Sequence, residues 1–167
     1  DKVKDYLSKA GTVIFVASIV LWFVLNTGLS GFTDDVSQSF AAMVGRILVP
    51  VLSPAGLGHW QIGVALISGL SAKEVVVSSF AVLFGISNIN SPDGMSALGS
   101  ALGMMGFGPV NAYALMIFCL LYSPCMAAVA TIHRETGSWK WTIRNVVFQI
   151  LVAWMGAVLV YQIGSRL

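Results

Sequence analysis

Two short stretches carry side chains able to do chemistry in an otherwise apolar chain. The first is Ser68-Gly69-Leu70-Ser71-Ala72-Lys73-Glu74. On a helix, Ser71, Glu74 and Ser78 fall at i, i+3 and i+7 and share one face. That is a row of oxygen-bearing side chains suited to a hydrated cation. Lys73 points about 100° away, where it neutralises Glu74 or a neighbouring carboxylate. A charge at mid-membrane costs at least ~2.5–3.5 kcal/mol on insertion scales, so it persists only if paired or facing water. Lining of a polar route and a buried ion pair that merely fixes a bend both satisfy that condition, and the residue types leave both open.

The second stretch is Ser123-Pro124-Cys125. Pro124 has no N–H, so the spacing predicts that the Leu120 carbonyl loses its helical partner. A helix broken in this way exposes carbonyl oxygens, a device by which transporters hold cations at the midplane. Cys125 adds a thiol and Met126 a thioether, and Tyr122 lies three residues before Cys125 on the same face. Sulfur favours softer or borderline metals over Na⁺, Mg²⁺ or Ca²⁺. Taken alone the motif fits a proline kink with a small buried cysteine as filler more readily. Cys119 lies about 120° around a helix from Cys125, so the two do not share a face.

The remaining candidates are plainer. His59, beside Trp60, reads as a surface histidine rather than a ligand. His133, Arg134 and Glu135 read as a charged membrane-edge cluster that also suits contact with a cytoplasmic domain. No GxxxxGK[ST], HExxH, CxxC or GxSxG occurs, so neither nucleotide hydrolysis nor acyl chemistry is visible and no catalytic residue or resident cofactor is expected.

The elements that must position these stretches follow from the charges. Only 10% of the 167 residues are charged, against about 25% in soluble domains. No Asp, Glu, Lys or Arg occurs over Ala10–Thr33, Gly94–His133 or Asn145–Ser165, and between Ile47 and Pro92 only Lys73 and Glu74 are charged. A crossing takes roughly 20 apolar residues. The expectation is an all-α integral membrane fold within one domain. Spans are expected at Ala10–Leu29, Trp60–Gly85, Asn111–His133 and Trp141–Ile163. An amphipathic interfacial helix is expected over Val36–Val49, ahead of Pro50 and Pro54. Ile86–Pro109 reads as a loop with a short surface helix, in preference to a helix-dimer face built on Gly99 and Gly103. Gly137 is the expected C-cap and Ser138 the expected N-cap of the turn between the last two spans.

Orientation follows the basic residues. Lys2, Lys4 and Lys9 place the start of the chain on the cytoplasmic side, and Arg134, Lys140 and Arg144 place that turn there too. The parity then works if Trp60–Gly85 enters and leaves on the outer side as a re-entrant hairpin of two half-helices. A single crossing would require residues 36–52 to cross as well. Irregular backbone at such depth is tolerated where protein or a wet cavity surrounds it. The net charge of +2 comes from scattered lysines and arginines, so no nucleic-acid footprint is present. Both cysteines sit in an apolar run, which argues against a secreted disulfide scaffold. A chain that begins at Asp1 reads as a portion of something longer.

Three runs in this order carry a family resemblance: Gly69-Leu70-Ser71-Ala72-Lys73-Glu74-Val75-Val76-Val77, Leu121-Tyr122-Ser123-Pro124-Cys125, and Arg134-Glu135-Thr136-Gly137-Ser138-Trp139-Lys140-Trp141. With the opening segment AGTVIFVASIVLWFVLN, they resemble the C-terminal membrane (gate) region of the ferrous iron transport protein B family, FeoB. The resemblance spans nearly the whole chain. It implies Fe²⁺ as the transported ion, a bacterial inner-membrane location, and a GTP-binding domain and a first membrane half that are not in this sequence. GTP would then act only through that other domain. Small cytoplasmic accessory proteins and a homo-oligomer are further partners that it allows. Ser123-Pro124-Cys125 would match the family's second gate motif. Cys125, Glu74, Ser71 and Ser123 would then contact the ion, with Pro124, Lys73 and Tyr122 in gating or structural roles. Two other readings remain beside it. One is a gate-type carrier of an organic solute such as a nucleoside, and the other a non-transporting scaffold that docks a cytoplasmic partner through residues 133–144.

Overall fold

The computed structural model describes residues 2–166 apart from 30, 34, 71–74 and 123–124, and describes side chains from residue 11 onward apart from 13 and 14. The chain is helical except for a minimal hairpin, β1 (Thr27–Gly28) with β2 (Gly31–Phe32). α1 (Lys2–Asn26) ends where Asn26 turns its side-chain amide back onto the Trp22 carbonyl at 2.8 Å. After the hairpin and a 3-10 turn (Val36–Gln38), Ser39 caps α2 (Phe40–Leu52), its Oγ accepting the Ala42 N–H at 3.2 Å. The expected interfacial helix therefore starts later and runs further than the sequence pattern suggests. Pro50 lies inside it, near the end and exposed, where its ring removes only one late hydrogen bond.

The expected span at Trp60–Gly85 is two helices, α3 (Trp60–Ser68) and α4 (Val75–Leu83). α4 comes back beside α3: Leu83, at its far end, packs on the cluster of Ala41, Ala42 and Val64. α2 with its 3-10 extension meets α3 at a bend of 104°. The two cross where Gly45 and Gly63 face each other, an approach that larger side chains would prevent. α5 (Pro92–Met104) is the expected surface helix, and Leu98 and Leu102 lean on the core. Gly99 and Gly103 face open space, so the GxxxG pair makes no contact among the described residues.

α6 (Pro109–Leu121), α7 (Met126–Thr136) and α8 (Trp139–Gly164) complete the chain. α6 and α8 run antiparallel, with Val110 against Gly164 and Ile117 and Leu121 against Gly156. Small residues make this seam: Ala114, Ala153 and Ala157 are fully buried. Without a hydrophobic drive between helices, close approach of small residues is how membrane helices gain contact. Gly137 caps α7 in the left-handed region at φ +62°. Ser138 occupies the N-cap of α8, but its hydroxyl makes no cap; instead Thr142 donates to the Ser138 carbonyl at 3.1 Å.

Polar bonds tie the 3-10 turn Ser53–Ala55 to the bundle. Trp154 Nε1 donates to the Val51 carbonyl at 2.7 Å, and Asn111 Nδ2 to the Gly56 carbonyl at 2.7 Å. Gly56 sits at φ +69° beneath the Tyr161 ring, which leaves no room for a Cβ. Large side chains face outward: Phe15, Trp22 and Phe23 on α1, and Ile143, Phe148 and Leu159 on α8, are each at least half exposed. Such surfaces suit lipid or a protein partner, not water. Among the described residues, Pro109–Thr136 across its break and α8 are long and apolar enough to cross a membrane, and the bent α2–α3 pair would make a third.

Candidate functional site

The two stretches singled out by their chemistry meet. α3 ends at Ser68, followed by a turn in which Gly69 still bonds to the Ala65 carbonyl, and α6 ends at Leu121, after which Tyr122 is extended. The Met126 N–H, first of α7, donates to the Leu70 carbonyl at 2.9 Å. An N–H at the start of a helix has no partner within that helix, and here a carbonyl past the end of another helix supplies one. Tyr122, 5% exposed, brings its hydroxyl within 3.5 Å of the Leu66 carbonyl and stacks its ring on Phe118 at 5.6 Å. Gly69 makes the meeting possible, because a Cβ there would lie 2.5 Å from the Tyr122 hydroxyl and would also strike the Val76 side chain.

Cys125 stands at the N-cap position of α7, half-buried, as a free thiol. Its carbonyl accepts the Ala128 and Val129 N–H groups at 2.9 and 3.1 Å. Two helix C-termini, those of α3 and α6, therefore converge beside a thiol and a phenol. C-terminal helix ends carry partial negative charge, and broken helices use such ends to hold cations. Among the described residues no group of three His, Cys, Asp or Glu is placed to hold a metal ion.

Of the expected site residues, Tyr122 and Cys125 are brought to this junction. Ser71, Lys73, Glu74, Ser123 and Pro124 lie outside the described residues. Ser78, expected on a face with Ser71 and Glu74, lies on α4 and lines a cavity of about 370 Å³ between α1, α3 and α4. Ser18, Asn26, Ser68 and Ser79 line the same cavity. Sequence reasoning did not single out Gly69, the Leu70 carbonyl or Ser79. Gly69 alone left a signal, as a glycine inside the polar stretch.

The other candidates lie away from this junction and make ring contacts. His59 precedes α3 and sets its ring edge-on to Phe107 at 6.4 Å. His133 stacks on Trp139 at 4.0 Å, and the Arg144 guanidinium lies over the Trp141 ring at 3.5 Å, a cation–π contact. Together they form an aromatic and basic end to the α7–α8 pair. Cys119 sits half-buried on α6, packed against the core, with the helix break between it and Cys125.

The helices are of a membrane type, and two of the breaks between them meet; the chain belongs to the Gate (nucleoside recognition) family, whose model matches residues 7–139. Within that family it is homologous to part of the Fe(2+) transporter FeoB. It is 41% identical over 164 residues to FeoB of Staphylococcus aureus (strain MSSA476), covering 98% of this chain and 24% of that protein. FeoB of Methanocaldococcus jannaschii is 37% identical over 175 residues, covering 100% of this chain and 25% of that protein. The Fe(2+) transport protein A/Fe(2+) transporter FeoB fusion protein of Porphyromonas gingivalis is 30% identical over 205 residues, 98% of this chain and 24% of that protein. The chain thus spans about a quarter of the length of these relatives. No solved structure matches it.

Proposed function

We propose that this chain is the gate segment of an Fe²⁺ permease in the bacterial inner membrane, with its first residues on the cytoplasmic side. α1, the broken α6–α7 pair and α8 cross the membrane. α3 and α4 form a re-entrant hairpin from the outer side, and α2 lies along the outer interface. The ion passes where the hairpin tip meets the break between α6 and α7. Cys125 offers it sulfur, while Glu74, Ser71 and Ser123 offer oxygen. Pro124 keeps the helix open, Lys73 balances Glu74, and Tyr122 braces the junction. Fe²⁺ is a borderline metal, so a mixed sulfur and oxygen lining suits it. A GTP-binding domain elsewhere in the full protein drives or regulates passage.

The observation that carries this reading is the bond from the Met126 N–H to the Leu70 carbonyl, which joins the two chemically equipped breaks. The test is anaerobic Fe²⁺ uptake by cells carrying the full-length protein, wild type against Cys125→Ser and Glu74→Gln, at membrane abundance matched by blot. Reduced uptake in both variants is the expected result. Normal uptake in both at matched abundance removes the permease role from these residues.

Two observations favour a second reading, carriage of an organic solute. The matching family is described by nucleoside recognition, and the cavity between α1, α3 and α4 carries several polar side chains. Uptake of a radiolabelled nucleoside that persists without metal would select it over the first.

A further inference from the structure

A second cavity lies at the far end of α7 from the junction. It has a volume of about 390 Å³ and is lined by Ile132 and Thr136 of α7 and by Trp141, Arg144, Asn145 and Phe148 of α8. Two contacts hold the helix ends around it. The His133 ring stacks on Trp139 at 4.0 Å, and the Thr136 and Thr142 hydroxyl oxygens lie 3.4 Å apart. Thr136 also donates its hydroxyl to the Ile132 carbonyl at 2.8 Å. The Arg144 guanidinium lies over the Trp141 ring at 3.5 Å. A guanidinium is always charged and carries five N–H donors in a planar fork. Stacking covers one face of that plane and leaves the donors at its edge. Among the described residues no acceptor or carboxylate meets them. Arg46 differs, since it donates to the Ser37 carbonyl at 3.2 Å. The Asn145 amide, one residue on, likewise has no described partner.

The surroundings specify what those donors would take. Arg134 and Lys140 add positive charge, and Glu135 is the one carboxylate within residues 133–144 and does not line the cavity. The start of α8 adds the partial positive charge of a helix N-terminus. This favours an anion, and the guanidinium fork matches the oxygens of a phosphate. Directly along α8 from the cavity, Phe148, Leu151 and Met155 fall at i, i+3 and i+7 on one face, each more than half exposed. Trp139 and Trp141 are also more than half exposed, at the level where such rings prefer the membrane interface. A charged mouth at the interface above an apolar stripe has the shape of a phospholipid. Basic pockets between membrane helices bind anionic head groups in this way. A zwitterionic lipid would bring its ammonium into a turn that is already positive. An acidic protein segment would satisfy the charge but leave the stripe unused.

We infer that the α7–α8 cavity is a binding site for an anionic phospholipid, with its phosphodiester on Arg144 and Asn145 and an acyl chain along Phe148, Leu151 and Met155. The inference rests on α8 crossing the membrane, as in the proposed function, and does not depend on which solute passes.

The test uses the full-length protein in vesicles that contain a trace of phospholipid carrying a diazirine next to its head group, either phosphatidylglycerol or phosphatidylcholine. Salt is raised to screen diffuse surface attraction, and cross-linked peptides are mapped by mass spectrometry. The expected result is labelling within residues 132–148 by phosphatidylglycerol in preference to phosphatidylcholine. Arg144→Gln should lower that preference about tenfold, the lower end for a hydrogen bond to a charged group. Arg134→Gln should retain it, because Arg134 leaves α7 about 200° around from Ile132 and does not line the cavity. Asn145→Ala should lower it in the same direction and replaces Arg144→Gln if that variant does not insert. Equal labelling by the two lipids, or a preference that survives both substitutions, overturns the site. Absence of labelling by either lipid also overturns it and places protein over the cavity. Labelling abolished by inorganic phosphate overturns the lipid assignment in favour of a free-phosphate site. The permease reading fails separately, through normal uptake in Cys125→Ser and Glu74→Gln, whatever the labelling shows.

Discussion

The backbone N–H of Met126 is bonded to the carbonyl of Leu70 at 2.9 Å, so the first turn of α7 is anchored to the segment just past the end of α3. A displacement of either break therefore pulls on the other. In an apolar surrounding an unpaired peptide group is costly, so the two segments gain from remaining together. Gly69 is the position at which the coupling is easiest to disturb, because only a residue without a Cβ leaves space for the Tyr122 hydroxyl and Val76.

Gly69→Ala is expected to destabilise the purified full-length protein in detergent by about 1–3 kcal/mol, the range for overpacking a filled site. Its thermal transition should fall and Fe²⁺ uptake with it. Combining Gly69→Ala with Tyr122→Phe removes one of the two colliding partners and should recover part of the lost transition temperature. No recovery in the double variant would mean that Val76 alone sets the constraint.

Tyr122→Phe by itself keeps the stack on Phe118 and removes the hydroxyl, whose contacts include the Leu66 carbonyl. At 3.5 Å that contact is at the weak edge of hydrogen bonding. The expected loss is under about 1 kcal/mol, read as a small shift in melting temperature with uptake retained. A large loss of uptake at normal stability would instead give the phenol a direct part in conduction.

The division between what the residues foretold and what they did not is physical. Charge-free gaps are set by the cost of burying charge, so they marked the apolar segments from composition alone. Counting basic residues on each side led to the expectation of a hairpin at 60–85; what the structure describes is α4 packed beside α3, with Leu83 on the cluster containing Val64. Gly137 was readable because a left-handed cap favours glycine. Pro50 was misplaced because proline was taken as a boundary, whereas near a helix end it removes little. The Met126–Leu70 bond had no signature, since backbone groups are the same in every residue. Ser79 was overlooked for a related reason. A serine in an apolar helix looks like filler until the partner of its hydroxyl is known.

Gly56→Ala is expected to lower stability through two additive causes. The residue holds φ +69°, and a Cβ would strike the Tyr161 ring. The left-handed conformation alone costs a non-glycine residue roughly 1–2 kcal/mol, and the clash adds to it. Thermal melting of Gly56→Ala against the double variant with Tyr161→Ala separates the two: the double variant should retain the backbone penalty and lose the clash.

Asp35 gives the loop before α2 a dependence on pH. Its carboxylate accepts the Ser37 N–H at 2.9 Å, and that backbone bond, with the Ser37 side chain, holds its pKa below the usual 3.8. A depressed carboxylate stabilises the folded loop above the unfolded pKa, and that contribution disappears as pH falls through the folded value. Acidification below the ordinary carboxylate range should therefore lower the amide protection factors of Ser37 and Gln38, taken against the intrinsic exchange rate at each pH, in the wild type. Asp35→Asn, which keeps an acceptor oxygen without a titrating group, should flatten this response. An equal response in both proteins would assign the effect to another group.

Trp154 offers the cleanest measure of a single interhelical bond in the bundle. Its Nε1 donates to the Val51 carbonyl at 2.7 Å, joining α8 to the end of α2. Pro54 follows three residues after Val51, and Pro50 precedes it, so this stretch has few N–H groups of its own to satisfy nearby carbonyls. Trp154→Phe keeps an aromatic ring and deletes the donor. Interhelical hydrogen bonds in membrane proteins contribute about 0.6 kcal/mol on average and rarely more than about 1.7. A loss near the upper value is expected here, because the carbonyl has so little alternative. Denaturation of the two proteins in the same detergent, with Leu159→Ala as an outward-facing control on the same helix, measures it. A loss no greater than the control would mean that water or lipid already satisfies Val51, and that α2 is held to α8 by packing alone.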